Sequence, residues 1–121
     1  MKFSSLGLAP ELQNAIDECG YTEMTPIQAQ AITPGRRGND LLANAQTGTG
    51  KTAAFALPIL QQMVDKPATG QSGHPRALIL TPTRELAEQL AETIGAYAQF
   101  LPFNIIAMFG GVKLGGQTKK L

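Results

Sequence analysis

An apolar run, a glycine-containing turn and a lysine–threonine pair follow one another without a gap in DLLANAQTGTGKT, residues 40–52. DLLANA, 40–45, is a short apolar stretch bounded by turn residues, the pattern of a buried strand. Lys51 opens a segment of helical character that extends to about Met63, with Pro58 inside it as a point of kinking. Strand, glycine turn and helix in that order are the context of a phosphate-binding loop. Gly48 and Gly50 let backbone N–H groups turn inward around an anion, and the helix start adds its partial positive charge. Lys51 supplies a point charge for β- and γ-phosphates, and the Thr52 hydroxyl is a ligand for Mg²⁺. Ala45 stands where the usual pattern has glycine; its methyl is tolerated if the backbone there has negative φ. The competing reading, a Gly/Thr turn that happens to precede a helix, leaves the preceding strand unexplained.

The remaining elements place this loop in an α/β chain. Pro10 begins PELQNAIDEC, which sets Leu12, Ala15, Ile16 and Cys19 on one face before Gly20 stops it. Thr25-Pro26-Ile27-Gln28 reads as cap, first helical position and capping-box partner of a short second helix ending near Pro34-Gly35. KPATGQSGHP, 66–75, is a loop, and ALILT, 77–81, a second strand. From Thr83 onward Leu86, Leu90, Ile94, Tyr97 and Leu101 recur at helical spacing, with Glu85, Glu88 and Glu92 mostly opposite. NIIAMF, 104–109, is a third strand running into Gly110-Gly111. Strands alternating with helices imply right-handed crossovers and a parallel sheet with flanking helices, the α/β class of phosphate-loop NTPases.

With 121 residues the chain is long enough for one modest core. A net charge of +1 argues neither for nor against a polyanion partner. No acid follows Glu92, while Lys113, Lys119 and Lys120 do, a pattern that fits a solvated surface better than phosphate contacts. A single cysteine, Cys19, excludes an intrachain disulfide and fits a reducing cytoplasm. MKFSSLGLAPELQ has no apolar signal core, and no apolar run is long enough for a membrane span. His74, the only histidine, lies in a Pro/Gly loop with no metal-ligand set around it.

A phosphate loop does not choose a base. Gln28 offers an amide that accepts from adenine N6 and donates to N7, which guanine cannot satisfy; it is equally the reciprocal half of a capping box. Tyr21 is either a stacking platform or ordinary packing. Hydrolysis needs an acid for Mg²⁺ and a group to orient water. The three expected strands end in Ala45, Thr81 and Phe109, so none ends in a carboxylate.

These segments in this order resemble the beginning of a DEAD-box RNA helicase, most closely of the bacterial RhlE-type branch. GYTEMTPIQ, Gly20 to Gln28, is similar to the family's Q motif, and Phe3 stands seventeen positions before it, where the family has an isolated aromatic. AQTGTGKT is similar to motif I, in which alanine at the first position is usual. PTRELA, Pro82 to Ala87, resembles motif Ia, and Gly110-Gly111 the GG element. The resemblance implies an RecA-like first helicase domain that binds ATP or ADP with Mg²⁺. The implied nucleotide contacts are Phe3, Tyr21, Glu23 through its backbone, Gln28, and Ala45, Gln46, Thr47, Gly48, Thr49, Gly50, Lys51 and Thr52. Single-stranded RNA is implied at Pro82, Thr83, Arg84, Glu85, Gly110 and Gly111.

The family's DEAD and SAT motifs, its second RNA-contact motif and its second RecA-like domain all come after the positions matched here. The resemblance therefore implies a parent enzyme that couples ATP hydrolysis to local unwinding of RNA duplexes. For these 121 residues it implies nucleotide binding without turnover, with a sheet edge and apolar helix faces left open. A stand-alone, non-catalytic adenine-nucleotide or RNA binder is the alternative. A small-molecule phosphotransferase is disfavoured, because no substrate pocket or lid is apparent.

Overall fold

The protein is described by a computed structural model that covers residues 1–46, 48, 50–66 and 74–109. A short 3-10 helix, Phe3–Leu6, is followed by α1 (Pro10–Glu18), α2 (Pro26–Arg36), α3 (Lys51–Asp65) and α4 (Arg84–Tyr97). All four expected helices form, and their ends follow local chemistry. Pro10 and Pro26 start α1 and α2, where the missing N–H costs nothing. Thr83 caps α4 by accepting from the Leu86 N–H at 3.2 Å. Gly20, at φ 81°, turns the chain after α1. Leu12, Ala15 and Ile16, three of the four residues expected on one face of α1, are fully buried; Cys19 is half-buried.

One core joins the helices: Phe3, Leu12, Ile16, Ile32, Leu57, Leu60, Ile94 and Tyr97 are its larger members. Among the described helices, α2 and α3 share the most extensive contact. A methyl at Gly35 of α2 would lie 3.1 Å from Pro58 Cβ of α3, so glycine is what lets the two backbones approach. Pro58 itself stays buried within an unbroken α3, which continues two residues beyond the expected end to Asp65. Gln62 Nε2 crosses to the Gly35 carbonyl at 2.6 Å, and Gln61 Oε1 accepts from Ala9 N–H at 2.8 Å. At the end of α3, Arg76 donates to the carbonyls of Met63 and Lys66 and lies over the Phe103 ring. A cation there satisfies carbonyls that the helix itself leaves unpaired.

The three expected strands, 40–45, 77–81 and 104–109, do not appear as strands: among the described residues the only β pairing is an isolated antiparallel bridge between Lys2 and Glu23. Nor is 40–45 buried. Leu42 is 103% exposed, and Leu78 and Leu80 are 82% and 85% exposed. The physical reason is that a strand, unlike a helix, closes none of its hydrogen bonds within itself. Without a ladder at about 4.8 Å on either side, an apolar run has neither partners nor a face to bury. The described residues are thus mostly helical; the apolar runs 40–45 and 77–81 are largely exposed between helices, and 104–109, after α4, is mostly half-buried.

Candidate functional site

Two clusters contain the described candidate residues. The first lies where α2 and α3 begin. Gly48 and Gly50 have φ of 85° and 84°, values that suit glycine and almost no other residue. No non-glycine residue has positive φ among the described residues, so Ala45 meets the condition under which its methyl is harmless. Gly50 is the N-cap of α3, and Lys51 and Thr52 form its first turn, Lys51 exposed and Thr52 half-buried. The exposed lysine and the helix start together favour an anion. Gln46 and Gly48 are exposed; Thr47 and Thr49 lie outside the described residues.

Gln28 reaches this loop from α2. Its Oε1 accepts from the Thr25 N–H at 2.8 Å, completing the capping box, and its Nε2 donates to the Gly50 carbonyl at 3.2 Å. The side chain is 4% exposed, and a Cβ on Gly50 would fall 2.2 Å from Nε2. Each of the two amide atoms retains one further bonding position: a second lone pair on Oε1 and a second hydrogen on Nε2. The capping contact therefore leaves the chemistry of a two-point adenine contact intact.

The N-terminus folds onto the segment that precedes α2. Phe3 N–H donates to the Thr22 carbonyl at 3.0 Å, and Met24 N–H to the Met1 carbonyl at 2.8 Å, so Glu23 sits within this pairing. Its seventeen-residue separation from Gly20 thus brings Phe3 beside Tyr21. The two rings stack with centroids 5.8 Å apart and 29° between planes. Phe3 is buried and lies behind Tyr21, which is half-exposed. Tyr21 also meets Tyr97 of α4 edge-on, with the hydroxyls 3.0 Å apart. Burial above all, with the hydrogen bond to Tyr21 second, pushes the Tyr97 phenol far above its ordinary range. The Cys19 thiol is raised as well, by burial first and then by Glu18, and is a poor nucleophile.

The second cluster surrounds the start of α4. Thr81, Pro82, Thr83, Arg84 and Ala87 face Met108 and Phe109 across an open cleft of about 290 Å³. Arg84 is exposed, lies 5.7 Å from the Phe109 ring centroid and is 4.0 Å from Glu85 Oε1. PTRELA and the run leading to Gly110 are therefore brought together, although Gly110 and Gly111, with Lys113, Lys119 and Lys120, lie outside the described residues. Sequence reasoning missed Met108 and Phe109 as lining residues and Tyr97 as a partner of Tyr21. Phe109 carried a signal, being next to the paired glycines; Tyr97 carried only a core-face pattern.

Among the described residues no group of three acidic, histidine or cysteine side chains is placed to hold a metal. Nor is any described helix long and apolar enough to cross a membrane.

Comparison with known proteins gives these clusters a common setting. Residues 25–121 match the family described as DEAD/DEAH box helicase. The chain is 49% identical over 111 residues to the ATP-dependent RNA helicase SrmB of Haemophilus influenzae, covering 92% of this chain and 25% of that protein. It is 42% identical to the ATP-dependent RNA helicase RhlB of Pseudomonas aeruginosa, covering 99% of this chain and 31% of that protein. The crystal structure of the RNA helicase Prp28 of Chaetomium thermophilum bound to ADP superposes with a TM-score of 0.85 at 38% identity. That match covers 97% of this chain and 28% of Prp28. A further match, at TM-score 0.81 and 29% identity, is to a hypothetical ATP-dependent RNA helicase from Sulfolobus tokodaii, covering 93% of this chain and 31% of that one. The chain thus spans about a quarter to a third of the length of these relatives.

Proposed function

The chain belongs to the DEAD/DEAH box helicase family, and from that premise we propose that it is the nucleotide-binding part of an ATP-dependent RNA helicase, corresponding to the N-terminal portion of the first RecA-like domain. The observation that carries this reading is the hydrogen bond from Gln28 Nε2 to the Gly50 carbonyl. It joins TPIQ, a base-reading candidate, to TGTGKT, a phosphate-binding candidate, across twenty-two residues of sequence. In this reading Gly48 and Gly50 shape the loop, the start of α3 and Lys51 neutralise the phosphates, and Gln28 reads adenine. Tyr21, backed by Phe3, stacks on the base, with the Glu23 backbone beside it. Thr52 fits as one Mg²⁺ ligand, because that ion takes most of its oxygens from phosphates and water; bound there, it would neutralise phosphate charge.

The parent enzyme's activity, RNA unwinding driven by ATP hydrolysis, belongs to the same proposal, as do its RNA and its second RecA-like domain. The parallel sheet, the RhlE-type branch and a cytoplasmic setting are its finer parts. They are supported respectively by the apolar runs 40–45, 77–81 and 104–109, by the quoted motifs, and by the lone half-buried Cys19. Residues Pro82 to Glu85, with Gly110 and Gly111, are the proposed path of RNA, where Arg84 and the N–H groups at the start of α4 meet phosphate. The 121-residue chain itself is proposed to bind ADP without turnover.

The test is titration with fluorescent ADP, competed by unlabelled ADP and GDP. Saturable binding displaced by ADP and not by GDP is expected. In Gln28→Ala the preference for ADP over GDP is expected to fall by about 1–3 kcal/mol. Undiminished discrimination in that variant would leave Gln28 a helix cap alone. Binding of RNA but not ADP would favour the stand-alone RNA binder.

A further inference from the structure

Tyr97 is 2% exposed and lies in the last turn of α4. Among the described residues the other large side chains buried to that degree, Phe3, Leu12, Ile16, Ile32, Leu57 and Leu60, are hydrocarbons. A buried phenol needs a partner for its hydroxyl, and here that partner is the hydroxyl of Tyr21, 3.0 Å away and seventy-six residues distant in sequence. A phenylalanine would fill the same volume without this requirement, so the hydroxyl has a consequence beyond packing.

The consequence falls on Tyr21. One side of its ring is taken by Phe3, at 5.8 Å and 29°. The edge of Tyr97 approaches at 5.8 Å and 62°. These contacts limit the ring's position but leave rotation about its own torsions to be resisted only by packing. The hydroxyl pair adds a restraint at the far end of the ring, where the lever arm about the first side-chain torsion is longest, and so fixes the direction in which the ring extends, while the Phe3 and Tyr97 rings fix its plane. We propose that Tyr97 is a positioning residue for the adenine base: it holds the Tyr21 ring in the place and direction that receive the base while touching no ligand itself. This rests on the reading of Tyr21 as the stacking residue. A ring already held in its bound orientation loses less freedom when a base is placed on it.

The test uses fluorescent ADP and, as a base-free competitor, pyrophosphate, on the 121-residue chain and its variants. In Tyr97→Phe the affinity for ADP is expected to fall by about two- to tenfold, the range of one hydrogen bond, with pyrophosphate competition unchanged. In a Tyr21→Phe background, where the hydroxyl pair is already broken, Tyr97→Phe should change ADP affinity no further. Equal weakening of ADP and pyrophosphate would overturn the proposal, since it would mark a general loss of structure. An undiminished ADP affinity, or the same loss in the Tyr21→Phe background, would overturn it as well. Tyr21→Ala separates the two readings. If it leaves ADP affinity intact, or if the chain binds no ADP at all, the stacking role of Tyr21 fails and this inference fails with it. If Tyr21→Ala weakens ADP and Tyr97→Phe does not, the stacking role stands and only the positioning role falls.

Discussion

Replacing Gly50 by alanine isolates the contact on which the proposed nucleotide site depends. Two costs arise, and the structure separates them. The first is conformational. At φ 84° an L-residue is strained by about 1–2 kcal/mol, whatever surrounds it. The second is steric. The new methyl would lie 2.2 Å from Gln28 Nε2 and 3.0 Å from its Cδ, so the amide must withdraw and release the Gly50 carbonyl. Losing that hydrogen bond, and straining the one to Thr25 N–H, adds about 1–2 kcal/mol. The total is about 2–4 kcal/mol, measured as a fall in unfolding free energy by urea denaturation.

Gly48→Ala is the internal control. Its φ is 85°, but nothing lies within 4 Å of the added Cβ, so only the first cost applies. In a Gln28→Ala background the obstruction is gone, and Gly50→Ala should cost no more than Gly48→Ala does. The difference between the two backgrounds is the coupling energy, expected at about 1–2 kcal/mol. A Gly50→Ala cost equal to that of Gly48→Ala in the wild-type background would refute the reasoning, because Gln28 would then not rest on Gly50.

Two further outcomes are expected. Lys51→Ala should weaken ADP binding by an order of magnitude or more in the same titration, since it removes the exposed cation at the start of α3; unchanged affinity would remove the phosphate-loop assignment. Alkaline stability should follow Tyr97: with its phenol raised in the folded state, the unfolded chain ionises first, so its contribution is complete below about pH 10 and is lost as pH rises beyond that. Urea midpoints between about pH 9 and pH 11 should therefore fall more steeply for the wild type than for Tyr97→Phe; equal slopes would contradict the burial of that hydroxyl.

What was legible in the sequence is what local geometry decides. The apolar period of PELQNAIDEC, the cap at Thr25 and the cap at Thr83 produce α1, α2 and α4, because a helix closes its hydrogen bonds within four residues. Gly48 and Gly50 stand at positive φ, a conformation that glycine adopts without a steric cost and that a tight turn before a helix calls for. The three apolar runs form no strand among the described residues for the complementary reason. Their composition suits a sheet, but a ladder depends on neighbours; 40–45 and 77–81 are largely exposed, and 104–109 is mostly half-buried.

Only the tertiary structure could decide the roles of single side chains. From TPIQ alone, Gln28 was either a cap or a reader of adenine. Folding shows it capping Thr25 and resting on Gly50, two bonds that leave each amide atom the capacity for one more. Tyr97 looked like one more member of an apolar helix face until α4 packed against the N-terminal segment and set its hydroxyl on Tyr21. Arg84 stays exposed, and only the fold sets its guanidinium 5.7 Å from the centre of the Phe109 ring. Sequence patterns report the periodicity of a backbone; a contact between residues twenty to eighty positions apart has no period, and exists only once the helices have packed.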